Sequence, residues 1–260
     1  MTQPSTSRTR QLRRRIAGSE RVLGLFMRIA DTVAVEALAL TDMDFVVLDA
    51  ENSALGRPQI DALLAVALAC DLPVLVRLPA AQLGDIQHAM MAGAAGVVVS
   101  HLSSADQLLD TLAFCRHAGV TKAYAGMGRG TRGRTVPWAE FSRAMADSFI
   151  VIAQVDSAAT LAQAGPIASA AGLDAVFVGT WTLALDLGAQ GSDDQPVQQA
   201  IHTIASACKS AGIQLGMHVP PGTAGPHAGL ASILVVGNEL TAMHSGVQAL
   251  LARVKTSFQT

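Results

Sequence analysis

The stretch DLPVLVRLPAAQLGDIQHAMMAGAAGVVVS, Asp71–Ser100, decides the fold. It opens on a short β-branched run, Val74–Arg77, and closes on another, Gly96–Ser100. A helical stretch ending at Ala92-Gly93 lies between them. Near-continuous apolar strands joined through a helix are the mark of a parallel sheet covered on both faces. Outward from this unit the alternation repeats. Strands are predicted at Val22–Met27, Phe45–Asp49, Phe149–Gln154, Ala175–Val178, Gln214–His218 and Ser232–Val236. Ile60, Leu63, Leu64, Ala67 and Leu68 recur at helical spacing, as do Ile201, Ile204, Ala205 and Cys208. Ala-Gly pairs at 92–93, 118–119, 171–172, 211–212 and 228–229 fall where helices should stop, because glycine takes the left-handed C′ conformation at no steric cost.

Eight such units in 260 residues predict an α/β fold, a single-domain (β/α)8 TIM barrel over residues 21–255. A basic arm and helix (1–20) precede it. A doubly wound open sheet is the alternative, though no G-x-G-x-x-G follows the first strand. Residues from about 120 to 147 form a connection much longer than the ~2–6 residues usual for an αβ loop. It begins Gly- and Arg-rich (Gly126 to Arg134) and reads as an irregular insertion.

Half of the residues are hydrophobic, 15% are charged and the net charge is −2, so no nucleic-acid or membrane-surface role is expected. Three widely spaced cysteines, Cys70, Cys115 and Cys208, make neither a disulfide framework nor a metal pattern and suit a reducing cytoplasm. The longest apolar run, Ala62 to Cys70, is far short of the ~20 residues of a membrane span. The arginines at 8, 10, 13, 14 and 15 lack the apolar core of a signal peptide and read as an arm leading into a first surface helix rather than an organellar transit peptide.

In such barrels chemistry gathers where strands end. Those ends carry Asp49, Glu51 and Asn52; Arg77; Ser100 and His101; Gln154 and Asp156; Gly179, Thr180 and Thr182; His218; Gly237 and Asn238. Arg77 stands out, because a guanidinium in an apolar strand is expensive unless paired. Its fixed fork suits a carboxylate or an enolate oxygen, and a structural ion pair with Asp49 or Glu51 is compatible with that role. Glu51 and Asp156 suit a hard divalent cation; Asp156 reads equally as a helix N-cap. His101 and His218 are candidate acid–base groups or packed histidines. The Gly/Arg segment, Arg129 included, is an anion clamp, a solvated flap or a subunit contact.

These residues resemble the HpcH/HpaI aldolase family, metal-dependent lyases that include 4-hydroxy-2-oxoheptanedioate aldolase. The resemblance runs from Gly24 to Arg253. It is carried by Phe45-Val-Val-Leu-Asp-Ala-Glu51, Pro73-Val-Leu-Val-Arg77, Gly93-Ala-Ala-Gly-Val-Val-Val99, Ile152-Ala-Gln154-Val-Asp156, and Val176-Phe-Val-Gly179 with Leu187-Gly188. It implies a homo-oligomer, hexameric or trimeric, acting on a small 2-oxo acid. A divalent ion (Mg²⁺, Mn²⁺ or Co²⁺) holds pyruvate as its enolate. Arg77 matches the arginine that stabilises that enolate, Asp156 a metal carboxylate, Gln154 its neighbour, and Glu51 the glutamate supporting metal-bound water.

Two positions depart from the pattern. The family histidine that moves the aldehyde proton falls at Asn52, whose amide does not titrate. The second metal carboxylate falls at Thr182, within Gly179-Thr180-Trp181-Thr182-Leu183, where bulky Trp181 replaces a small residue. Asp186 replaces that carboxylate only if the loop rearranges, and Arg129 takes over anion binding from a degraded glycine-arginine segment after helix 4. The metal is therefore expected to be weakened or lost. Three readings follow, in order: an aldolase-like carbon–carbon lyase on a 2-oxo acid; a decarboxylase, tautomerase or cyclising enzyme with related enolate chemistry; and a non-catalytic binding barrel.

Overall fold

The computed structural model describes residues 8–80, 82–118, 120–121, 129, 135–219 and 229–258. Eight parallel strands close into a barrel in chain order: β1 (Val22–Met27), β2 (Phe45–Asp49), β3 (Val74–Pro79), β4 (Gly96–Ser100), β5 (Ile150–Val155), β6 (Ala175–Val178), β7 (Gln214–His218) and β8 (Ile233–Asn238). Closure is made by β1 against β8, with Val22 opposite Ile233 and Phe26 opposite Asn238. Helices surround the barrel, so the strands are buried on both faces.

Alternating strand residues sort into two cores. Phe26, Val47, Leu75, Ile152, Phe177 and Val235 fill the barrel interior. Leu48, Val76, Val99, Val151 and Val178 face outward against the helices. Each fully buried aliphatic side chain contributes roughly 1.5–3 kcal/mol, and with few aromatics this repeated aliphatic burial sustains the fold.

The basic N-terminal segment is more than a surface helix. In the helix Arg8–Ala17, Leu12 and Ile16 join the interior cluster. Arg13 pairs with Asp174 at 2.8 Å and Arg15 pairs with Asp44. Both aspartates immediately precede strands, so this helix lies at the barrel end opposite the strand C-termini.

Strand β3 runs two residues past the predicted stop, because Leu78 and Pro79 stay in register with Val99 and Ser100 of β4. Phe149 falls outside β5 as the C-cap of the helix Trp138–Ser148. That helix corrects the expectation of an irregular stretch up to residue 147: Phe141 is buried on its inner face and only the opening is Gly- and Arg-rich. Residues 122–128 and 130–134 lie outside the described residues. Gly93 (φ 94°) and Gly212 (φ 69°) cap helices in the left-handed conformation, and Gly172 (φ 91°) uses it in a turn. Gly229 does not adopt it, and Gly119 is not described. Among the described residues no helix is long and apolar enough to cross a membrane.

Candidate active site at the strand C-termini

Parallel register places Asp49 of β2 directly beside Arg77 of β3. Both are interior, Asp49 fully buried and Arg77 8% exposed. Arg77 Nε donates to Asp49 Oδ1 at 2.9 Å, its Nη2 stands 2.7 Å from Oδ2, and its Nη1 reaches Gln154 Oε1 on β5 at 3.4 Å. Its Cζ lies 4.6 Å from the centroid of the Phe26 ring, which supports the guanidinium from one face. Burial alone would raise the Asp49 carboxyl, but the Arg77 hydrogen bond and charge, the Asn52 amide and Arg28 outweigh it and hold the group below the usual carboxylate range. The ionised pair is therefore the resting state.

Arg77 opens into a cavity of about 540 Å³, a size suited to a small substrate. Phe26, Arg28, Asn52, Gly179, Thr180, Trp181, Thr182, His218, Asn238 and Thr241 complete most of its wall. The site residues expected at 77, 52 and 179–182 thus meet in one chamber. Among the described residues its charged lining is Arg28 and Arg77. His218 is held below the usual histidine range, first by burial and then by the nearby Arg28 charge. It is the neutral imidazole of this chamber, able to accept a proton.

A second cavity of about 560 Å³ adjoins it, lined by His101, Asp156, Thr182, Leu185 and Asp186 among others. Asp156 is 2% exposed. Its Oδ2 accepts from the His101 amide at 3.1 Å and from Gln154 Nε2 at 2.9 Å. Ser157, not Asp156, caps the following helix, so the N-cap reading of Asp156 is replaced by a buried carboxylate at the site. His101 adopts φ 50°, an uncommon conformation for a residue with a side chain. Its Nε2 is 3.1 Å from Glu51 Oε1. Glu51 Oε2 is buried without a hydrogen-bond partner among the described residues, 3.7 Å from Arg77 Nε. Only glycine fits at 179: a Cβ there would lie 2.7 Å from Asp156 Cβ and 3.0 Å from Gln154 Nε2.

Arg129 sits elsewhere. Its guanidinium takes both carboxylate oxygens of Asp61, at 2.6 and 2.9 Å, so it is engaged on the helix Arg57–Ala69 rather than in the cavity wall. Asp186 accepts from the Ala158 amide at 2.6 Å and closes a loop. Arg28 and Thr241 line the chamber although the sequence reading passed over both; for Arg28 the signal was a charge placed directly after the apolar strand Val22–Met27.

The donor set does not fit a resident divalent cation. Asp156 is a single carboxylate with one oxygen engaged by two donors. Gln154 turns its amide oxygen to Arg77, and Thr182 is neutral. Among the described residues no group of three His, Cys, Asp or Glu side chains is placed to hold a metal.

An eight-stranded parallel barrel with a buried arginine–aspartate pair at the strand ends and a buried carboxylate beside it defines a class of (β/α)8 barrels with a polar site at the strand C-termini. Within that class, the sequence model of the HpcH/HpaI aldolase/citrate lyase family matches residues 22–226, and the chain belongs to this family. It is 28% identical to a hydroxypyruvate/pyruvate aldolase of Agrobacterium fabrum over 241 residues, 90% of this chain and 89% of the relative. A solved HpcH/HpaI aldolase/citrate lyase family protein from Burkholderia cenocepacia superimposes with a TM-score of 0.85 at 23% identity, covering 95% of this chain and 99% of the other. A more distant fold relative, the protein CitE of Mycobacterium tuberculosis (TM-score 0.53, 18% identity, 85% and 78% covered), is solved in complex with magnesium, acetoacetate and coenzyme A.

Proposed function

We propose that this barrel is a carbon–carbon lyase acting on a 2-oxo acid through an enolate, with an altered acid–base site and a metal site that is weakened or lost. The observation that carries the reading is Arg77: a buried, ionised, rigidly held guanidinium with spare N–H donors facing a chamber whose described charged lining is otherwise only Arg28. When the bond between C3 and C4 of a 4-hydroxy-2-oxo acid breaks, its electron pair forms the enolate and negative charge gathers on the C2 oxygen. Arg77 stabilises that charge without reorganising, because Asp49, Gln154 and the Phe26 face already fix it. The C4 hydroxyl proton passes to neutral His218, taking the place left by Asn52, which orients the substrate as a hydrogen-bonding amide. Glu51 and Asp156 hold His101 and Gln154 in position around the head of the substrate, and Thr180 and Thr182 supply hydroxyls.

The family's divalent ion, when bound, would polarise the 2-oxo and carboxylate oxygens. Here Asp156 alone represents its anionic ligands, so Mg²⁺, Mn²⁺ or Co²⁺ is held weakly or dispensed with. The three free cysteines fit a reducing cytoplasm. The chain works as a homo-oligomer, a trimer or hexamer: in the single chain the C-terminal helix Glu239–Ser257 buries only Glu239, an arrangement a second copy would complete.

A coupled assay of pyruvate release from a 4-hydroxy-2-oxo acid tests the reading. Slow release by the wild type, lost in Arg77→Lys, is expected; release that is unchanged in that variant contradicts it. The second reading, enolate chemistry without the aldehyde step, is favoured by Asn52 in the chamber wall, and predicts enolate formation from pyruvate with no retro-aldol product.

A further inference from the structure

Asp49 serves two guanidinium groups. Arg77 takes both of its oxygens, and Arg28 Nε donates to Oδ2 at 2.9 Å. One carboxylate thus compensates two cations. Of the other nearby acids, Glu51 faces Arg77 and Glu239 is taken up by backbone amides. The terminal nitrogens of Arg28 have no partner among the described residues, and its side chain is 35% exposed on the chamber wall. Its backbone is fixed as well: Glu239 Oε1 accepts from the amides of Arg28 and Ile29 at 2.6 and 2.7 Å. An ion pair serving the fold alone would not need a guanidinium clamped at both ends with its fork left open to a cavity.

Barrel order says which end of a ligand Arg28 meets. Gln154 and Asp156 follow from β5, and Gly179–Thr182 from β6. Arg28 follows β1 and His218 ends β7, with Asn238 of β8 between them in the closed sheet. Arg77 reaches across the interior from β3 towards β5. A 2-oxo acid held at C2 by Arg77, with its head towards β5 and β6, extends its tail towards β7, β8 and β1.

We propose that Arg28 is a specificity-determining residue that binds a second carboxylate, at the far end of the substrate, so that the enzyme selects 2-oxo diacids over 2-oxo monoacids. This rests on the 2-oxo acid reading given above. A charge-assisted contact of this kind gives a preference of about tenfold or more. Neutral His218 beside Arg28 neither repels the guanidinium nor competes for the anion.

The test compares 2-oxopentanedioate with 2-oxopentanoate, which differ only in the terminal carboxylate, by calorimetric titration of the full chain. The diacid is expected to bind about tenfold or more tightly to the wild type. Arg28→Gln should collapse that ratio towards one, with near-ultraviolet circular dichroism reporting that the chain is folded. Should that variant fail to fold, the wild-type ratio measured at low and high ionic strength replaces it; a ratio that shrinks with salt supports a charge contact. Equal affinities in the wild type, or a ratio that survives Arg28→Gln or salt, overturn the proposal. Arg77→Lys separates the two levels: weakening of both acids by a common factor upholds the 2-oxo acid reading whatever Arg28 does, whereas no effect on either acid removes that reading itself.

Discussion

At the scale of single residues, the site is governed by the cost of leaving charge buried without a partner. Asp49 has no exposure, so Arg77→Ala leaves a buried anion with only Arg28 and the Asn52 amide as partners and should destabilise the chain by up to about 3 kcal/mol, read from the denaturation midpoint. Arg77→Lys retains a charge but loses the fork; it should lose less stability yet about 100-fold or more in enolate formation. Two groups predict how stability follows pH. Asp49 is held low in the fold, so its contribution is present above the unfolded carboxyl value of about 3.9 and disappears as pH falls through its folded value. His218 is also held low, which has the opposite consequence for a base: below about pH 6.5 the unfolded chain takes up the proton first, so stability declines in that window. His218→Gln should flatten the melting temperature between pH 7 and pH 5. Arg77 was legible in the sequence because it interrupts an apolar run. Its sharing of Asp49 with Arg28 was not, since it depends on strand register, and neither was the Arg129 pairing with Asp61 across 68 positions.

Individual elements carry the site by close approach. Gly179 ends β6 where Asp156 and Gln154 crowd against it, and Gly179→Ala should cost about 1–3 kcal/mol by overpacking while also displacing Asp156. A thermal melt measures the first effect. Loss of enolate formation beyond what the lost stability accounts for would mark the second. Strand boundaries read well from β-branched runs bounded by glycine, and β1, β2, β4, β6 and β7 match residue for residue. The helix Trp138–Ser148 was hidden by the Gly/Arg-rich residues before it, whose composition dominates the window. Asp156 was ambiguous for a reason local to its element: Ser157 next to it is an equally good cap, and only the backbone decides which of the two serves.

For the whole molecule, the most informative feature is the helix Glu239–Ser257. Leu240, Met243, Val247, Leu250, Leu251 and Val254 are all exposed on it, and Leu23 is exposed on β1. These side chains form the surface proposed above for association with a second copy. Val247→Glu with Leu251→Glu should shift the mass found by light scattering towards the single chain; a mass unchanged from the wild type would place the subunit contact elsewhere. Cys115 and Cys208 are held as unreactive thiols at neutral pH, since burial pushes both up to about 12. The barrel itself was legible because eight repeated units over 260 residues leave few other closed arrangements. Cavity walls were not, because a chamber assembled from six strand ends has no signature in any one of them.

The central claim, that Arg77 stabilises an enolate in a chamber without a resident metal, is tested most directly by following the exchange of pyruvate methyl protons for deuterium by nuclear magnetic resonance, with and without added Mn²⁺ or chelator. The account predicts exchange by the wild type that persists in chelator and is lost in Arg77→Lys. Absence of exchange under every condition, or exchange indifferent to Arg77→Lys, would contradict it.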